Sequence, residues 1–184
     1  MSRISRYLIV SALFTVLAAG CGGAGKETAD KNPAGKTATA AAAGPDFALK
    51  DLNGNVVRLA DLRGSVVIVD FWATWCPPCR QALPHLQAIS NEYGGRGVKI
   101  VAIAMDDQGE SVVRPFVAKN NLTFTVVLPD AQVNRAFGGV RSLPTTFVIG
   151  PDGKIFRKLV GFNPNETPQA LVEAIRTLKP ELAS

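Results

Sequence analysis

Two stretches constrain this chain more than any other: Val66–Trp72 (VVIVDFW) and Val98–Met105 (VKIVAIAM), both almost unbroken apolar runs rich in β-branched residues. A strand with one wet face alternates apolar and polar residues, so a run without alternation reads as a strand buried on both faces, the usual state of parallel strands. Between the two runs, Ala82, Leu83, Leu86, Ile89 and Tyr93 recur at helical spacing, which predicts a helix over Cys79–Tyr93. Downstream, Glu110–Asn120 reads as a helix, Phe124–Leu128 as a strand and Ala131–Phe137 as a short helix. Thr146–Ile149 and Ile155–Leu159 flank Pro151-Asp152-Gly153, a turn that makes them a hairpin. Thr167–Leu178 closes the chain as a helix with Leu171, Ile175 and Leu178 on one face. Ahead of all these, Phe47–Lys50 and Val56–Leu59 flank Asn53-Gly54, which predicts an opening β-hairpin. Strands alternating with helices give an α/β architecture, with Phe71, Val101, Ile103, Phe147 and Ile149 expected in its core.

The first 44 residues do not belong to that pattern. Met1–Arg6 carries two arginines, and Tyr7–Gly20 is a run of apolar or small residues, the order of a secretory signal and too short for a bilayer span. The run ends in Leu17-Ala18-Ala19-Gly20-Cys21, which resembles the cleavage box of bacterial lipoproteins, although Leu stands one place further from the cysteine than is usual. On this reading residues 1–20 are a signal peptide and Cys21 is the lipidated N-terminus. Plain secretion with a free Cys21 thiol, or an uncleaved short anchor, are the alternatives. All three place the rest of the chain outside the cytoplasm. Gly22 follows the cysteine, so the aspartate that retains lipoproteins in the Gram-negative inner membrane is missing. Residues up to Gly44 have no large apolar side chain, cannot bury a core and read as a flexible tether of roughly 25–30 Å typical reach. The folded domain is expected over 45–184. A formal net charge of +5 that falls further once Arg3 and Arg6 are set aside gives no case for nucleic-acid binding.

The chain holds three cysteines and one histidine, too few for a four-cysteine zinc or iron–sulfur site or a two-cysteine, two-histidine finger. Two of the thiols stand in Trp75-Cys76-Pro77-Pro78-Cys79, after a buried strand and at the first turn of a helix, where backbone N–H groups and the helix dipole favour an anion. The thiolate is the reactive form of cysteine, and that position favours it at Cys76. Haem attachment would want histidine where Arg80 stands, and a structural disulfide closing so small a loop would constrain the unfolded chain little. Thiol–disulfide exchange is the chemistry that suits this pair best, with a structural disulfide a poorer alternative. Neither Pro77 nor Pro78 has an N–H to offer the thiolate, which predicts a reducing rather than an oxidising pair.

Val69-Asp70-Phe71-Trp72-Ala73-Thr74-Trp75-Cys76-Pro77-Pro78-Cys79, followed by Leu143-Pro144-Thr145-Thr146-Phe147 and the Pro151-Asp152-Gly153 hairpin, resembles a thioredoxin-fold protein. More narrowly it is similar to the membrane-anchored thiol-disulfide oxidoreductases of the TlpA and ResA group, which are related to the AhpC/TSA redoxins. The likeness covers about Pro45–Lys179, and the extra length between Cys79 and Pro144 matches the helix and strand that this group inserts. The resemblance implies a central mixed sheet flanked by helices, and a redox-active Cys76–Cys79 disulfide with no other cofactor and no metal. It implies a cis Pro144 beside that disulfide, with Trp75, Pro77, Pro78, Leu143 and Pro144 meeting the substrate. It also implies that Cys76 attacks a partner's disulfide and Cys79 resolves the mixed disulfide. Asp70, a lone carboxylate in an apolar strand, matches the buried aspartate of thioredoxins and is the candidate base for Cys79; a structural aspartate at a strand end is its other reading. ResA-like proteins commonly carry Glu three places after the second cysteine, where this chain has Ala82, so the base duty would fall to the strand.

Trp72 is expected, with Trp75, to shape the surface around the disulfide. Pro84 matches the helix kink of thioredoxins, His85 reads as an ordinary helix residue, and Asp106-Asp107 reads as a solvated turn. The expected protein is a monomeric, lipid-anchored reductase of disulfide-containing proteins, as in cytochrome c maturation, recharged by a membrane electron donor. A peroxiredoxin-like peroxidase lacks support from any Thr-x-x-Cys before a helix, and a Cu(I) carrier would use the same two thiols without exchange.

Overall fold

The computed structural model describes residues 44–182. The signal segment, Cys21 and the tether up to residue 43 lie outside the described residues. Strands β1 (Ala48–Lys50) and β2 (Val56–Arg58) form a separate antiparallel pair. The main sheet follows: β3 (Val66–Trp72), β4 (Val98–Ala104), β5 (Thr125–Val127), β6 (Thr145–Ile149) and β7 (Ile155–Val160). Its order is β5-β4-β3-β6-β7; β3, β4 and β5 run parallel, and β6 and β7 join antiparallel, so the sheet is mixed. Four helices accompany it: α1 (Pro77–Tyr93), α2 (Glu110–Lys119), the single turn α3 (Val133–Ala136) and α4 (Thr167–Leu178).

Every residue of β3 is buried, as its unbroken apolar run requires. Strand alternation sends its even and odd positions to opposite layers. Val66, Ile68 and Trp72 pack with Cys76, Cys79, Leu83 and Leu86 of the α1 segment and with Leu171 and Ile175 of α4. Val67, Val69 and Phe71 pack with Phe47 and Leu49 from the opening hairpin and with Phe137 and Phe147. On that side Phe71, Phe137 and Phe147 form a three-ring cluster with centroids 4.9–5.9 Å apart. The opening hairpin therefore serves as the lid of the second core layer.

The elements differ from expectation mainly at their ends. Helix α1 starts at Pro77, two residues before the predicted start, because a proline at the first helical position loses no hydrogen bond it would have made. Strand β5 is shorter than predicted, and the turn between β1 and β2 spans five residues, with the Asp51 carboxylate accepting the N–H groups of Asn53 and Asn55 at 2.8 Å each. That Asx arrangement replaces the two-residue turn that Asn53-Gly54 suggests.

Candidate active site

The loop Ala73–Thr74–Trp75 leaves the C-terminal end of β3 and delivers Cys76 as the N-cap of α1. Cys76 and Cys79 are joined in a disulfide with Cα atoms 5.3 Å apart. Cys79 is wholly buried, whereas Cys76 keeps 3% of its surface, so Cys76 is the more exposed of the pair. Pro77 and Pro78 occupy the first two helical positions without an N–H, and the third position supplies the donor: the Cys79 N–H points at Cys76 Sγ, 3.3 Å away. The first turn therefore offers the Cys76 sulfur one backbone donor where a proline-free turn offers more. Pro84 sits inside α1, and His85 stacks on Phe162 with centroids 5.4 Å apart.

Asp70 lies between Ile68 and Trp72 on β3, on the layer that contains both cysteines. It is 1% exposed; its Oδ1 accepts the Thr146 hydroxyl at 2.7 Å, and its Oδ2 has no partner. Burial, only partly offset by that hydrogen bond, pushes its pKa up to about 7. A carboxyl that holds its proton to neutrality suits proton exchange with a thiol.

The peptide Leu143–Pro144 is cis, as the resemblance implies. Pro144 is buried and Leu143 half-buried, packed against the layer that holds the cysteines. The Pro144 carbonyl accepts the Gly161 N–H at 2.8 Å, which ties this loop to the end of β7. Trp75 is 64% exposed and Pro77 is exposed beside Cys76, so the two form an open apolar rim.

Two expectations are corrected. Trp72 is fully buried against Phe116, with centroids 5.4 Å apart, so it belongs to the core and Trp75 alone faces solvent. Asp106 is no solvated turn residue: it is 4% exposed, and its carboxylate accepts both the backbone N–H and the hydroxyl of Thr74, two residues before Cys76. Neighbouring Asp107 is exposed, as expected. Among the described residues no three His, Cys, Asp or Glu side chains gather as a metal site.

The model of the AhpC/TSA family matches residues 40–158. The chain is 34% identical to the thiol-disulfide oxidoreductase ResA of Bacillus anthracis, over 71% of this chain and 75% of the relative. It is 37% identical to the ResA of Geobacillus thermodenitrificans, over 77% and 81%. Among solved structures, a thioredoxin-family thiol:disulfide interchange protein of Chlorobium tepidum superposes with a TM-score of 0.67 at 28% identity, covering 74% of this chain and 94% of that one. StoA of Bacillus subtilis superposes with a TM-score of 0.60 at 28% identity, over 70% and 95%. With its cysteine pair, buried aspartate and cis proline on a thioredoxin fold, this chain belongs to the AhpC/TSA family, among the relatives of the ResA thiol-disulfide oxidoreductases.

Proposed function

We propose that this protein is an extracytoplasmic, lipid-anchored reductase of protein disulfides, of the kind needed to keep cysteine pairs reduced for cytochrome c maturation. One observation carries the reading: a buried carboxyl with a neutral-range pKa, Asp70, shares a core layer with Cys79, the cysteine that has to lose a proton for turnover. The Cys76 thiolate attacks a sulfur of the substrate disulfide; that bond breaks, one substrate sulfur leaves as a thiol and the other is held as a mixed disulfide. Cys79 passes its proton to Asp70 and attacks Cys76 Sγ, which expels the second substrate thiol and forms the Cys76–Cys79 disulfide. Two electrons move from the cysteine pair to the substrate, and a membrane donor has to return them. Trp75, Pro77, Pro78, Leu143 and Pro144 make the docking rim.

Gly44 abuts the turn between β6 and β7, so closely that a Cβ there would lie 1.9 Å from the Gly153 carbonyl oxygen. That turn is at the opposite end of β6 from Pro144. The described residues thus begin at the pole of the domain away from the disulfide. None of the helices among the described residues is long and apolar enough to cross a membrane.

The test is the equilibrium reduction potential of the cysteine pair together with Cys79→Ser trapping. A potential near about −270 mV and a stable mixed disulfide on Cys76 are expected; a potential near about −120 mV would make the protein an oxidant. Peroxide turnover without protein-disulfide exchange would instead favour a peroxidase, and stoichiometric copper retention a Cu(I) carrier.

A further inference from the structure

Asp70 has one lateral neighbour on each side in the sheet, Ala102 of β4 and Thr146 of β6. Ala102 has nothing to donate. Thr146 donates its hydroxyl to Oδ1 at 2.7 Å, and Oδ2 is buried without a partner, so this is the single side-chain hydrogen bond that steadies the ionised carboxyl. Thr146 is itself 4% exposed and stands two residues after Pro144, which binds the donor directly to the proposed docking loop.

We propose that Thr146 is a positioning residue of the thiol chemistry: its hydroxyl sets how firmly Asp70 holds a proton, and thereby the pH window in which Cys79 can be deprotonated. The inference rests on the reading of Asp70 as the base. A donor to a carboxylate favours the charged form, whereas burial opposes it. Without the donor both carboxylate oxygens would be buried unpartnered, a costly state for an anion, and the proton would be held to higher pH.

The charged and titratable groups around Asp70 leave Thr146 this part. Strand β3 and strand β6 carry no other ionisable side chain, and Lys99 of β4 is exposed and directed to the Gly94 carbonyl. From α1 the thiols of Cys76 and Cys79 share the layer, Arg80 and Glu92 are exposed, and His85 lines a small cavity with Thr146, Ala82 and Phe162. From α4, Glu173 pairs with Arg157 and Arg176 is exposed. On α2, Glu110 pairs with Arg114 and Lys119 is exposed. His85 and the thiols are therefore the groups to silence in a test.

The experiment titrates the Asp70 carboxyl by carbon-detected NMR in the oxidised protein, where the cysteines do not ionise, in a His85→Asn background. Thr146→Val is expected to raise the Asp70 midpoint by about one pH unit, and Thr146→Ser to leave it near the parent value. In the reduced protein, release of a trapped mixed disulfide at pH 7 should slow about fivefold in the Val variant, with its pH profile displaced by the same amount. An unmoved Asp70 midpoint in Thr146→Val, or a Ser variant that behaves like Val, overturns the role of the hydroxyl. A midpoint that moves while the release profile stays fixed overturns the base reading of Asp70 instead. Should the Val variant not fold, Thr146→Ala gives the same comparison.

Discussion

Asp106 holds Thr74 by three contacts: its carboxylate oxygens lie 3.1 and 3.2 Å from the Thr74 nitrogen, and one lies 2.5 Å from the Thr74 hydroxyl oxygen. The aspartate follows β4 and the threonine follows β3, so the clasp joins the ends of two parallel strands at the point where the chain turns toward Cys76. Asp106→Ala would leave the half-buried Thr74 N–H without its acceptor, a loss of about 1–3 kcal/mol in urea unfolding, whereas Asp106→Asn, which keeps an oxygen, should lose less than half as much. Trp75, next in sequence and exposed, should report the loosened loop as a change in fluorescence anisotropy. A fully stable Asp106→Ala protein would mean that the clasp is dispensable.

Asp70 makes stability depend on pH. Its pKa rises from 3.8 in the unfolded chain to about 7 in the fold, so between those values the folded state binds more protons than the unfolded one. Stability due to this group is therefore highest below pH 4 and declines as pH rises toward 7, by about 4 kcal/mol in all. Asp70→Asn keeps an acceptor for Thr146 and abolishes the charge, so it should flatten that decline and stabilise the protein at pH 8 while slowing resolution of the mixed disulfide at least about tenfold. Denaturant titrations at pH 5 and pH 8 decide the point; parallel losses in parent and variant would refute it.

Trp72 carries a buried indole N–H with no acceptor. Trp72→Phe deletes that unsatisfied donor at the expense of some contact with Phe116, and the two effects are each of order 1–2 kcal/mol, so the net change should stay within about 1 kcal/mol. Trp72→Ala, which empties the site, should cost about 3–5 kcal/mol. Chemical denaturation of the pair separates the indole nitrogen from the ring.

Local signals account for what the chain discloses before folding. The β3 and β4 runs, the α4 boundaries and the cysteine pair at a helix start are all written in patterns shorter than twenty residues. Asp106 was hidden because two adjacent aspartates after a strand look like a wet turn, and its partner lies 32 positions away. Trp72 ends an apolar run that reads as buried on both faces, so that run, rather than nearness to Cys76, is the signal for its burial. Thr146 reads as one more β-branched strand residue until the register with β3 sets it beside Asp70. The cis bond came from family likeness alone, since nothing in an isolated Leu-Pro pair demands it.

The first turn of α1 supplies a sharper test of the reducing character than either proline alone suggests. The N-cap side chain of a helix accepts from the second or third helical N–H. Here the third, Cys79, already points at Cys76 Sγ, and the second is missing because Pro78 stands there. Pro78→Ala restores a donor aimed at the sulfur, while Pro77→Ala restores one at the first position, which an N-cap side chain does not use. A hydrogen bond to a charged sulfur contributes about 1.5 kcal/mol, so Pro78→Ala should lower the Cys76 pKa by about one unit and make the pair less reducing by about 30 mV. Pro77→Ala should move both quantities less. Thiolate absorbance against pH and glutathione equilibration measure the two effects, and equal shifts in the two variants would show that the electrostatics of the whole helix end, rather than one directed donor, set the potential.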